Sequence, residues 1–107
     1  MLRSPSHLAF VRRLPCLGCG VPPQEAPIQA AHLRFRGGDG GMGLKPSDDR
    51  VVPLCATCHH TQHTKGEPAF WEVAPVRDPH AVARALYQNS GNEAAAYSLL
   101  FEERFYG

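Results

Sequence analysis

The sequence predicts a small α+β domain pinned together by a metal, and three observations carry that expectation. Cys16 and Cys19 form one Cys-x2-Cys pair, and Cys55 and Cys58 form a second after a gap of 35 residues. Short apolar, β-prone stretches lead towards the second pair, and a helix-like run follows it. With 107 residues the chain is long enough for one modest core and small enough to gain from a staple. Two thiolate pairs at this spacing suit a closed tetrahedral zinc site that joins segments distant in sequence. No secretory apolar region or membrane-spanning run is read near Met1, so the expected location is cytoplasmic. Thiols stay reduced there, which favours metal over two disulfides.

The elements follow in chain order. Residues 7–14 read as a short helix with Ser6 as its cap, Pro15 as its stop, and Leu8, Val11 and Leu14 on the buried side. Residues 16–20 form a tight knuckle whose glycines admit the bends that sulfur ligation requires. A proline-rich loop over residues 21–27 leads to a first strand, residues 28–33, whose small side chains suggest close packing. Residues 37–43 hold five glycines in seven positions, read as a structured loop between strands in preference to a flexible linker. Residues 50–54 form a second strand running directly into the Cys55 knuckle. A helix over residues 56–65 ends at Gly66. In the tail, Asp78 caps a helix over residues 79–87 with proline at its first position, and Asn92 opens another over residues 93–105. Ala96, Leu99 and Leu100 are its core set. The expected division is a core at 1–77 and a helical appendage at 78–107 packed upon it.

The net charge of +1 conceals an asymmetry. Residues 1–66 carry a surplus of four positive charges, whereas residues 67–107 carry a surplus of three negative ones. A basic front half suits a polyanion such as nucleic acid, and a solvated surface explains it nearly as well.

The histidines add chemistry to the staple. His59 and His63 are four residues apart on the expected helix, so both project from one face and suit a second metal. His60 points about 100° away from His59 around the helix, towards phosphate or solvent. His32 lies on the first strand.

Taken together, this order of knuckle, strand, glycine loop, strand, knuckle and helix resembles the HNH endonucleases of the ββα-metal (His-Me finger) type in their four-cysteine zinc form. The matching residues are the Cys16 knuckle, Ala30-Ala31-His32, the glycine loop through Lys45 and Asp48, and Val52-Pro53-Leu54-Cys55 with Cys58-His59-His60. Gln62-His63 and the stretch from Gly66 to Trp71 extend the match to about residues 7–71. The chain is most similar to small phage- and prophage-borne proteins with a Gly-Met-Gly-x-Lys-Pro-x-Asp segment.

That resemblance implies metal-dependent DNA phosphodiester hydrolysis. His32 would be the general base, a role suited to imidazole because its charge change falls near neutral pH. His59 and His63 would hold one catalytic divalent ion (Mg²⁺, Mn²⁺, Ni²⁺ or Zn²⁺), and Cys16, Cys19, Cys55 and Cys58 a structural Zn²⁺. Asp48 would orient the segment of His32, polarise its imidazole, or reach the metal. Arg34, Arg36, Lys45 and His60 would contact DNA, expected to be double-stranded or branched, and the apolar tail helices are candidates for a homodimer contact. Glu67 would either help bind the metal or simply follow the helix. Many relatives place an Asp or His before the base, where this chain has Ala31. The competing expectation is therefore a non-catalytic zinc module, binding nucleic acid or protein through a decayed site. A four-cysteine redox or metal sensor is disfavoured because it leaves the histidines without a role.

Overall fold

The computed structural model describes residues 2–34, 47–74 and 76–106. They form a small α+β domain of seven elements: α1 (Pro5–Val11), β1 (Ile28–His32), β2 (Val51–Cys55), α2 (Ala56–Lys65), α3 (Glu67–Val73), α4 (Pro79–Gln88) and α5 (Glu93–Tyr106). The expected glycine loop at 37–43, together with Arg36 and Lys45, lies outside the described residues.

The strands pair antiparallel, with Ile28 opposite Cys55, Ala30 opposite Pro53 and His32 opposite Val51. Leu33 N–H extends the ladder by donating to Arg50 O at 2.9 Å, although Leu33 falls outside β1. Pro53 offers no donor, which is tolerable in a two-stranded sheet where every strand is an edge. Its carbonyl accepts Leu17 N–H at 2.8 Å, tying the first knuckle to β2. All five residues of β2 are buried, because α1, α2 and α4 all pack against it. One apolar cluster runs from Phe10 and Leu14 through Leu17, Val52 and Leu54 to Leu86 and Leu100. The tail helices thus share the core of the front half.

Three expectations need correction. The first helix spans Pro5–Val11 and its cap is Ser4, whose side chain accepts from His7 N–H. Pro5 pre-sets helical φ at a position where no N–H is needed, so the helix opens earlier than Ser6 would allow. It ends earlier too. Arg13 and Leu14 donate three residues back, to Phe10 and Val11, as the chain approaches Pro15, which disfavours helix in the residue before it. His7 and Phe10 are buried there beside Val11, while Leu8 is only partly buried. Secondly, the second strand is shifted by one residue, spanning Val51–Cys55. Thirdly, α3 was not expected. It buries Phe70 and Trp71, with Phe70 closing over the first knuckle. A Cβ on Gly18 would stand 3.0 Å from Cys58 Sγ and 3.3 Å from Phe70 Cζ, so any larger residue there would press on both neighbours.

The helix after the second knuckle matches its expected limits. α4 runs one residue further, to Gln88, with Asp78 Oδ1 accepting Ala81 N–H at 3.1 Å. Asn92 Oδ1 accepts Ala95 N–H at 3.1 Å at the start of α5. Ala96 and Leu100 are buried as expected, and Leu99 packs on the core margin. Near the end of α5, Arg104 Nη1 donates to Leu17 O at 3.0 Å, fastening the tail to the first knuckle.

Candidate metal centre and histidine site

Cys16 and Cys19 lie on the loop between α1 and β1, Cys55 ends β2, and Cys58 sits in the first turn of α2. The knuckles share one local device: Cys16 Sγ accepts Cys19 N–H at 3.4 Å, and Cys55 Sγ accepts Cys58 N–H at 3.4 Å. Pairing of Ile28 with Cys55, and of Leu17 with Pro53, brings the two knuckles together. The four sulfurs lie within 4.8 Å of one another.

A tetrahedral zinc with Zn–S bonds of ≈ 2.3 Å requires sulfurs about 3.8 Å apart, and Cys19 Sγ and Cys55 Sγ are 3.8 Å apart. The donor set is soft and suits zinc. Its electrostatics call for a cation. Burial pushes the Cys58 thiol well above its ordinary pKa, and the charge of Cys16 pushes it further. Burial likewise raises Cys19. Burial opposes ionisation of Cys16 as well, but hydrogen bonds from the backbone at Cys55, Cys19 and Gly18 outweigh it and lower that thiol. Four thiolates in one place repel one another, and a dication removes the conflict. Four cysteines are therefore positioned to bind one metal ion.

The histidines lie beyond this centre. His32, at the end of β1, makes a 2.9 Å hydrogen bond from Nε2 to Oδ1 of Asp48, sixteen positions along the chain. Asp48 is 3 % exposed. Its pKa is lowered below the ordinary carboxylate range, chiefly by the His32 hydrogen bond, next by one from the Ser4 backbone. An ionised carboxylate only accepts, so His32 Nε2 carries the hydrogen, and in the neutral ring the lone pair falls to Nδ1. Of the alternatives for Asp48, contact with the His32 ring is the one observed.

On α2 the rings of His59 and His63 are 4.9 Å apart between centroids and tilted by 33°. Burial lowers the His59 pKa, and the charges of His63 and His32 lower it further while Glu67 opposes them. These four groups therefore share one electrostatic neighbourhood. His59 Nδ1 lies 2.5 Å from Gln29 Oε1, which leaves Nε2 as the ring nitrogen that Gln29 does not engage. His60 is exposed, as is Arg34, whose backbone N–H donates to Glu67 Oε2 at 2.8 Å. Ala31 is fully buried in the core and offers no ligand. Among the described residues, the four cysteines are the one group of three or more Cys, His, Asp or Glu side chains clustered tightly enough for a metal. Among the described residues, the histidine pair gains no preformed third ligand.

The sequence reading missed the partners that hold these groups. Gln29 orients His59, and Ser4 and Arg3 meet Asp48, with Ser4 N–H 2.7 Å from Oδ2 and Arg3 Nη1 3.8 Å from Oδ1. A backbone donor 44 positions away leaves no signal in residue type. A cleft of about 440 Å³ lies elsewhere, between α5 and the first knuckle, lined by Pro15, Gly20, Tyr97, Leu100, Phe101 and Arg104 among others. None of the candidate histidines borders it. Among the described residues, no helix is long and apolar enough to cross a membrane.

Comparison with known proteins adds relationship without activity. The chain is 36 % identical over 58 residues to the uncharacterized protein YdfU of Escherichia coli (strain K12). That match covers 54 % of this chain and 15 % of YdfU. No solved structure matches. A family described as "Protein of unknown function (DUF968)" matches residues 1–89, and the chain belongs to that DUF968 family.

Proposed function

We propose that this protein is a metal-dependent DNA endonuclease of the HNH, ββα-metal kind. The observation that carries the reading is the 2.9 Å bond between His32 and buried Asp48, in the same electrostatic neighbourhood as the His59 and His63 pair. An imidazole whose far nitrogen is fixed on a carboxylate has one free nitrogen for a water proton. In this reading His32 Nδ1 accepts that proton as water attacks the phosphorus, and Asp48 stabilises the resulting imidazolium. His59 and His63 hold the divalent ion, which would polarise the scissile phosphate and offset charge on the leaving oxygen. Arg34 and His60, both exposed, are assigned to backbone phosphates together with Arg36 and Lys45. With His59 and His63 as its only protein ligands, this second ion would rely on water and phosphate for further ligands, so its binding would be weak without DNA. Zinc on the cysteines serves the fold alone.

Alanine at position 31, where many HNH enzymes carry an Asp or His ligand, favours a second reading, a zinc-stabilised module that binds nucleic acid or protein without cutting. Plasmid nicking with Mg²⁺, Mn²⁺ or no added metal separates the two. Wild type nicks in this reading, and His32→Ala loses about 10²–10⁴-fold in rate while keeping zinc and DNA affinity. Mild chelation abolishes nicking while the cysteine-bound zinc and the circular dichroism spectrum persist, and Mn²⁺ restores it. Absence of nicking with every metal, or equal nicking by His32→Ala, refutes the assignment.

A further inference from the structure

Residues 2–4 form a strap along the turn that carries Asp48. Asp48 N–H donates to Leu2 O at 3.0 Å. Leu2 N–H donates to Ser47 Oγ at 3.1 Å, and Ser4 N–H donates to Asp48 Oδ2 at 2.7 Å. Arg3 Nη1 stands 3.8 Å from Oδ1. A carboxylate can rotate about its Cβ–Cγ bond unless both oxygens are held. Here Oδ2 is fixed by the strap, and that fixes where Oδ1 meets His32 Nε2. Asp48 is 3 % exposed, so bulk water does not readily replace a lost donor. The strap itself is anchored. The Ser4 side chain caps α1, and α1 packs on both strands.

We infer that residues 2–4 are a positioning element for the His32–Asp48 pair, with the Ser4 backbone N–H as its central contact. The part played in catalysis rests on the nuclease reading, whereas the effect on the imidazole does not. Loosening the strap frees the carboxylate to turn, and His32 then populates both neutral tautomers instead of the Nε2–H form alone. Cleavage at saturating DNA falls about tenfold, short of the ~10²–10⁴-fold expected for losing the base.

The test uses the full zinc-loaded chain and two variants: Ser4→Pro, which keeps chain length but removes the backbone N–H that holds Asp48 Oδ2, and deletion of Leu2 and Arg3, which removes the rest of the strap. Long-range ¹H–¹⁵N correlation spectra above the histidine titration range read the His32 tautomer, and metal analysis confirms retained zinc. The expected result is a single Nε2–H form in wild type and a mixture in both variants. A Ser4→Ala control keeps the backbone N–H and should keep the single form, although it loses the cap. A single Nε2–H form in both folded variants overturns the inference. If the deletion fails to fold, the Ser4→Pro variant decides alone. A tautomer mixture in a protein that never cleaves DNA sustains the strap and removes the nuclease reading. A single form with normal cleavage does the reverse.

Discussion

Substitution of Asp48 separates its structural work from its chemical work. The buried carboxylate accepts two hydrogen bonds, from Ser4 N–H at 2.7 Å and from His32 Nε2 at 2.9 Å. The Arg3 contact, at 3.8 Å from a side chain that is 63 % exposed, contributes little. Hydrogen bonds to a charged group contribute roughly 1.5–3 kcal/mol each, so Asp48→Ala, which strands both donors, should cost about 3–6 kcal/mol. At roughly 4–8 °C per kcal/mol for a domain of this size, Tm falls by more than about 10 °C. Asp48→Asn keeps the shape. Its oxygen can serve Ser4 while its amide N–H faces His32 Nε2, which must then be bare. The stability cost drops to about 1–2 kcal/mol, from loss of charge assistance alone. The hydrogen moves to Nδ1, however, so cleavage should fall by about 10²–10⁴, like removal of the base. Urea denaturation, plasmid nicking and the His32 tautomer measure the three quantities. The pH dependence has a definite sign. The native Asp48 pKa is lowered, so its stabilisation is complete above the ordinary carboxylate value of about 3.9 and is lost as pH falls through the lowered native value. Equal destabilisation by Ala and Asn, with an unchanged His32 tautomer in the Asn variant, would refute this account.

Three further outcomes follow from the same structure. Purified protein should contain about one tightly held zinc per chain, and Cys58→Ser should release the metal and unfold the domain, as metal analysis and circular dichroism would show. His7 is buried, bonded through Nδ1 to Ser90 Oγ at 2.8 Å, and its Nε2 has no hydrogen-bond partner among the described residues. Burial lowers its pKa against the opposing charges of Asp48 and Asp49. Its contribution to stability is therefore present above about pH 6.5 and lost as pH falls through the lowered native value, so His7→Asn should flatten the change in Tm over that window. Leu86 on α4 is fully buried in the common core, and Leu86→Ala should cost about 2–5 kcal/mol in one cooperative transition. A separate early transition for the tail would instead mark residues 78–107 as an independent unit.

Features that rest on local rules were readable from residue order alone. The two Cys-x2-Cys pairs announced the metal centre because the ligands of a small tetrahedral site recur at short spacing. The second strand flowing into a helix at Ala56 was legible from β-branched residues and the glycine stop, and Asp78-Pro79 marked the start of α4 through capping chemistry that acts over three residues. The spacing of His59 and His63 likewise fixed a shared helical face. Longer-range facts needed the fold. The short helix α3 depends on Phe70 and Trp71 finding the core, a gain invisible in a seven-residue stretch that opens with glutamate and proline behind Gly66. The contact of Asp48 with His32 depended on where a turn placed its side chain, and its second oxygen is held by a backbone N–H that any residue but proline would supply. Gln29 meets His59 across thirty positions for the same reason. Ligand spacing and helix caps are encoded in residue type within a few positions. Hydrogen bonds between distant segments arise only when burial of the core brings those segments together.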